Sequence, residues 1–73
     1  MTQHFADTDK RLRAASREHR HRRHVLVTRG DRMRPRERHR VVVRWLAART
    51  ALEVARLEWL TARRAGAARG GEA

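Results

Sequence analysis

Seventy-three residues carry 19 Lys+Arg against 8 Asp+Glu, a formal charge of +11, and 18 of those 19 are Arg. The length admits one domain and excludes a multidomain enzyme. Leu, Val and Phe together number 13, and there is no Ile or Cys. The apolar share is therefore below the roughly 20% at which highly charged chains begin to sustain a core, and disulfides, thiolate metal sites and cysteine nucleophiles are excluded.

Residues 1–9 are polar and slightly acidic, with neither the basic start nor the apolar run of a secretory signal, and 1–7 lie ahead of the first predicted helix. Residues 1–7 are expected to form an N-terminal arm on a protein that works in the cytoplasm or enclosed in a particle. The most apolar stretch, Val41 to Ala62, is interrupted by Arg44, Arg49, Glu53, Arg56 and Glu58. A membrane span requires about 20 mostly apolar residues, so no membrane partner is expected.

A first helix is predicted over about 8–27, capped by Asp7 or Thr8. Asp7–Arg11, Asp9–Arg13 and Glu18–Arg22 have the i,i+4 spacing of stabilising pairs. Its apolar stripe is thin: Leu12, Ala15, His19, Leu26. Val25 to Thr28 is β-branched enough to suit a short strand instead. Gly30 suits a left-handed C′ position. Asp31 is placed to cap the next helix, with Pro35 in its first turn. The loop is expected over about 28–34.

The second helix is predicted over about 35–65, a rod of about 45 Å at 1.5 Å per residue. Gly66 is expected to end it, leaving 66–73 as a flexible tail. At 100° per residue, Val41, Trp45, Ala48, Leu52, Ala55, Trp59 and Ala62 share one sector. Val43, Leu46, Ala47, Thr50, Val54, Leu57 and Thr61 lie nearly opposite. A surface helix of a monomer carries one such stripe. Two stripes imply neighbours on both sides, because a bare one would leave an apolar patch in water. Val41, Trp45, Leu52, Trp59, Val43, Leu46, Val54 and Leu57 are the expected interface residues, toward another copy or a helical protein partner. Arginine stems from the first helix, lying over the second stripe, are the alternative covering.

The charge is segregated. Lys10 to Arg44 carries the full net excess of +11, and the segments before and after it cancel. On helices, Arg13 and Arg17 stack at i,i+4, as do Arg36, Arg40 and Arg44. Like charges so spaced repel, and a polyanion converts that repulsion into binding through phosphate contacts and counterion release. The planar guanidinium fork matches phosphate. Arg13, Arg17, Arg20, Arg22, Arg23, Arg36, Arg40 and Arg44 are the candidate phosphate-binding residues, with DNA and RNA both open. In composition, about 15 residues of this segment resemble arginine-rich peptides that fold on RNA. Phe5, Trp45 and Trp59 are the only aromatics, which disfavours base stacking.

His21 and His24 have a usable ligand spacing, but arginines surround them and no acidic cluster completes a site. No metal, cofactor or small-molecule substrate is expected. Ser16 lacks an orienting acid, so no catalytic site is expected. The sequence thus predicts an all-α two-helix hairpin, stabilised by oligomerisation or a partner. Two functions are open to it. The first is a non-enzymatic nucleic-acid-binding protein that self-associates through its second helix. The second is a structural or assembly subunit of a larger particle, such as a phage virion.

Overall fold

The computed structural model describes the backbone of residues 2–72 and the side chains of residues 5–67. The described residues form two helices, α1 (Thr2–Arg29) and α2 (Pro35–Glu72), joined by a 3-10 turn over Gly30–Arg32. They pack side by side as an antiparallel all-α hairpin, 58 Å long and about one helix pair in cross-section, 14 × 13 Å. No described helix is long and apolar enough to cross a membrane.

α1 contains no Gly or Pro, and Ala, Arg, Leu and Glu supply its helix propensity. It absorbs most of the expected N-terminal arm, because nothing in 2–7 breaks a helix and Phe5 has a seat to reach. The Phe5 ring lies 5.9 Å from that of Trp59, tilted by 42°. Thr8 is therefore not a cap. It sits inside α1, 1% exposed, with its hydroxyl donating to the Phe5 carbonyl at 2.8 Å. The β-branched run Val25–Thr28 remains helical, and the Thr28 hydroxyl bonds back to the His24 carbonyl at 2.7 Å.

The connection differs from expectation in two ways. Gly30 has no positive φ. It opens the 3-10 turn, is buried, and its carbonyl accepts from the Met33 N–H at 3.4 Å. Asp31 lies within that turn rather than capping α2. The chain then extends at Met33 (φ −80°, ψ 144°), Arg34 precedes the helix, and Pro35 takes its first position. The Arg34 carbonyl accepts the Arg38 N–H at 2.9 Å. A proline lacks only a donor that a helix start leaves unsatisfied anyway.

A Cβ added at Gly30 would meet Leu26 Cδ1 at 3.6 Å, an ordinary contact. Gly30→Ala should therefore stabilise the hairpin by about 0.4–1 kcal/mol, through the lower entropy of the unfolded chain. Thermal melts followed by circular dichroism check this; a lower melting temperature would mean the turn requires glycine.

α2 passes through Gly66 to Glu72, so that glycine does not end it. A Cβ at Gly66 would meet nothing within 4 Å, which marks an unpacked helical position. The expected tail over 66–73 lies largely outside the residues whose side chains are described.

The packed seam is the first predicted stripe of α2. Ala48, Leu52, Ala55 and Ala62 are buried, and Val41, Trp45 and Trp59 are half-buried. From α1, Thr8, Leu12, Ala15 and His19 alternate four and three residues apart and Leu26 follows one heptad after His19, with Thr8 buried and the rest half-buried. Alanines let the backbones approach while the two Trp rings overlap α1 side chains. His19 stacks on Trp45, with centroids 6.3 Å apart and planes at 29°. Neither indole N–H has a hydrogen-bond partner among the described residues. Ring and alanine packing fill the seam, and the Arg11–Glu58 pair bridges the two helices at one edge.

Candidate nucleic-acid interface

The antiparallel packing gives the hairpin two edges with different electrostatics. On one edge, Arg13, Ser16, Arg17 and Arg20 of α1 face Arg56 of α2 across a groove of about 430 Å³ floored by Leu12 and Leu52. Arg13, Arg17 and Arg20 follow each other at four and three residues, which lines them along one flank of α1. Arg13 is paired with Asp9 at 3.0 Å. Arg17, Arg20 and Arg56 have no ion-pair partner among the described residues. Each is exposed. Three arginines without ion-pair partners among the described residues and one shared with Asp9 therefore line a single open depression, with Leu12 and Leu52 between them.

Arg56 is the member that sequence reasoning missed. The segment after Arg44 is nearly charge-neutral, and that balance hid the helical spacing that carries Arg56 to the groove edge. Arg49 and Arg63 lie one heptad before and after it on α2. They are engaged differently: each guanidinium lies over a Trp ring, Arg49 at 6.0 Å from Trp45 and Arg63 at 5.3 Å from Trp59. Arg49 also reaches Glu53 at 3.7 Å.

The opposite edge carries two ion pairs. Arg11 crosses to Glu58 on α2 at 3.3 Å, instead of pairing with Asp7 in its own helix. Arg22 is half-buried and held by Glu18 at 2.7 Å. Of the eight candidate phosphate-binding residues, the structure thus gathers Arg13, Arg17 and Arg20 into one groove and ties Arg22 to a carboxylate elsewhere. Arg23 is exposed on α1 outside the groove lining. Arg36 and Arg40 flank a shallow depression with His39 and Pro35 at the start of α2. Arg44 is exposed on the edge opposite the groove, along the same side of α2 as Glu58.

The eight expected interface residues also divide. Val41, Trp45, Leu52 and Trp59 face α1 within the chain. Val43, Leu46, Val54 and Leu57 are exposed, Leu57 by 65%. Of the α1 arginines, Arg11 reaches the rim of this second stripe, lining a shallow depression with Val54, Leu57 and Thr61, and the stripe as a whole stays largely exposed.

Among the described residues, no three His, Asp or Glu side chains converge as a metal site would require. No protein-family model, curated protein or solved structure matches the chain.

Proposed function

We propose that this chain is a small non-enzymatic nucleic-acid-binding protein that seats backbone phosphates in the arginine groove and self-associates through the bare stripe of α2. The observation that carries the reading is the groove itself, lined by Arg17, Arg20 and Arg56, which have no carboxylate partners among the described residues. Uncompensated like charges on a marginal hairpin cost stability, and a phosphate backbone offsets that cost by releasing its condensed counterions. Because the groove offers guanidinium forks without stacking platforms, it suits general phosphate binding rather than base reading. The protein would act in the cytoplasm or inside a particle.

The test is a salt titration of binding to duplex DNA and to RNA. Affinity should fall linearly in log–log form, by about 0.9 in slope per phosphate neutralised on DNA. Absence of binding to either polymer at low salt would overturn the reading.

The exposed stripe of Val43, Leu46, Val54 and Leu57 favours one further reading, a structural subunit of a larger assembly such as a phage virion. In that case the arginines would meet acidic protein surfaces, and binding to nucleic acid would be absent while a defined assembly persisted.

A further inference from the structure

The bare face of α2 has a regular pattern. Val43, Ala47, Thr50, Val54, Leu57 and Thr61 alternate four and three residues apart over about 27 Å of helix, the spacing of a coiled-coil seam. Its two threonines are already satisfied inside the chain. Thr50 donates to the Leu46 carbonyl at 3.1 Å and Thr61 to the Leu57 carbonyl at 2.8 Å. Both hydroxyls can therefore be covered without orphaning a donor, and what they offer outward is methyl surface.

The charges beside the seam point to its occupant. One flank carries Arg44, Ala51 and Glu58, and the other carries Leu46, Glu53 and Leu60. If two copies of α2 paired in parallel, Glu53 of each would face Glu58 of the other, a repulsion that symmetry repeats. If they paired antiparallel, Arg44 of each copy would face Glu58 of the other, and Leu46 would face Leu60. The cores then match in size, with Val43 against Thr61, Ala47 against Leu57, and Thr50 against Val54. The two Glu53 carboxylates meet near the twofold axis, each already drawn to its own Arg49 at 3.7 Å. Glu58 bonds Arg11 in its own chain at 3.3 Å and keeps a second oxygen for the incoming Arg44.

We infer that the occupant is a second copy of this chain, packed with α2 antiparallel to α2 about a twofold axis near Ala51, to give a four-helix assembly. This rests on the self-association part of the proposed function and specifies its geometry. The dimer places α1 on both outer faces and leaves an arginine groove open on each hairpin. The self-complementary flanks are what a closed, isologous contact requires.

The test is native mass across a concentration series, without nucleic acid. Wild type should pass from monomer to dimer. Arg44→Glu should move the midpoint to at least about tenfold higher concentration, because each dimer gains two like-charge contacts. Glu58→Arg should do the same. The double exchange Arg44→Glu/Glu58→Arg should return the midpoint to within about threefold of wild type, since antiparallel pairing restores both contacts. In a parallel dimer these residues stand about 21 Å apart along the axis, and no rescue occurs. A wild-type chain that is monomeric throughout overturns the dimer, as does a mass showing only complexes with an added helical partner. A dimer without rescue overturns the antiparallel register. Leu57→Asp, on the exposed face, separates this inference from the phosphate groove: it should yield a folded monomer whose binding to DNA still falls with salt. A wild-type dimer that binds no polyanion would sink the groove and leave the dimer standing.

Discussion

Leu52→Ala should cost the hairpin about 2–5 kcal/mol, the range for deleting a buried leucine side chain. Leu52 is 6% exposed at the middle of the seam, with Leu12 across from it on the groove floor. A chain of this length has total stability on the order of 4–11 kcal/mol, so the substitution should remove a large part of it. The relevant comparison is Leu57→Ala, five residues on and on the opposite face. At 65% exposure it should change the monomer by less than about 0.5 kcal/mol. Melts followed by circular dichroism in dilute solution should separate the two variants clearly. At higher concentration Leu57→Ala should lose stability relative to wild type, because it then removes a contact between copies. Equal melting points for the two variants in dilute solution would mean that α1 packs on a different face from the one described.

The two stripes on α2 and the identity of the helices were legible because both rest on local periodicity. Trp45, Leu52 and Trp59 recur at heptad spacing, and a 100° wheel places them together without any knowledge of α1. The wheel could not say which stripe α1 would take. That choice depends on α1 offering Thr8, Leu12, Ala15 and His19 as a complementary ridge, with Phe5 against Trp59 at its far end. The first stripe has three alanines at which a helix can approach closely. The second is edged by Leu46 and Leu60, which hold a neighbour farther off. The boundaries were less legible. Gly30 and Gly66 are read from sequence as stops because glycine is cheap in left-handed geometry, yet Gly30 is used at negative φ in a tight turn and Gly66 within a helix. Arg56 escaped because net charge is summed along the chain, whereas the groove is assembled across it.

Replacing Arg13, Arg17 and Arg20 together with Gln should separate binding from folding. Glutamine keeps helix propensity close to that of arginine, so α1 should persist. If all three reach phosphates, the log–log salt slope for duplex DNA should fall by about 2.7. Arg22→Gln is the internal control, since that side chain is committed to Glu18 at 2.7 Å and its loss should move the slope by well under one. Stability should change in the opposite direction from binding. Arg17 and Arg20 repel each other and Arg13 without carboxylates of their own, and relieving such contacts gains about 0.2–0.5 kcal/mol per pair. That gain is reduced by loss of the exposed Arg13–Asp9 pair, itself worth at most about 1 kcal/mol. The triple variant should therefore melt at or slightly above the wild-type temperature while binding DNA more weakly and with less salt dependence. Charges that cost the fold and are recovered only on a polyanion belong to a binding surface. A triple variant that melts several degrees lower with an unchanged slope would show instead that these arginines serve the hairpin.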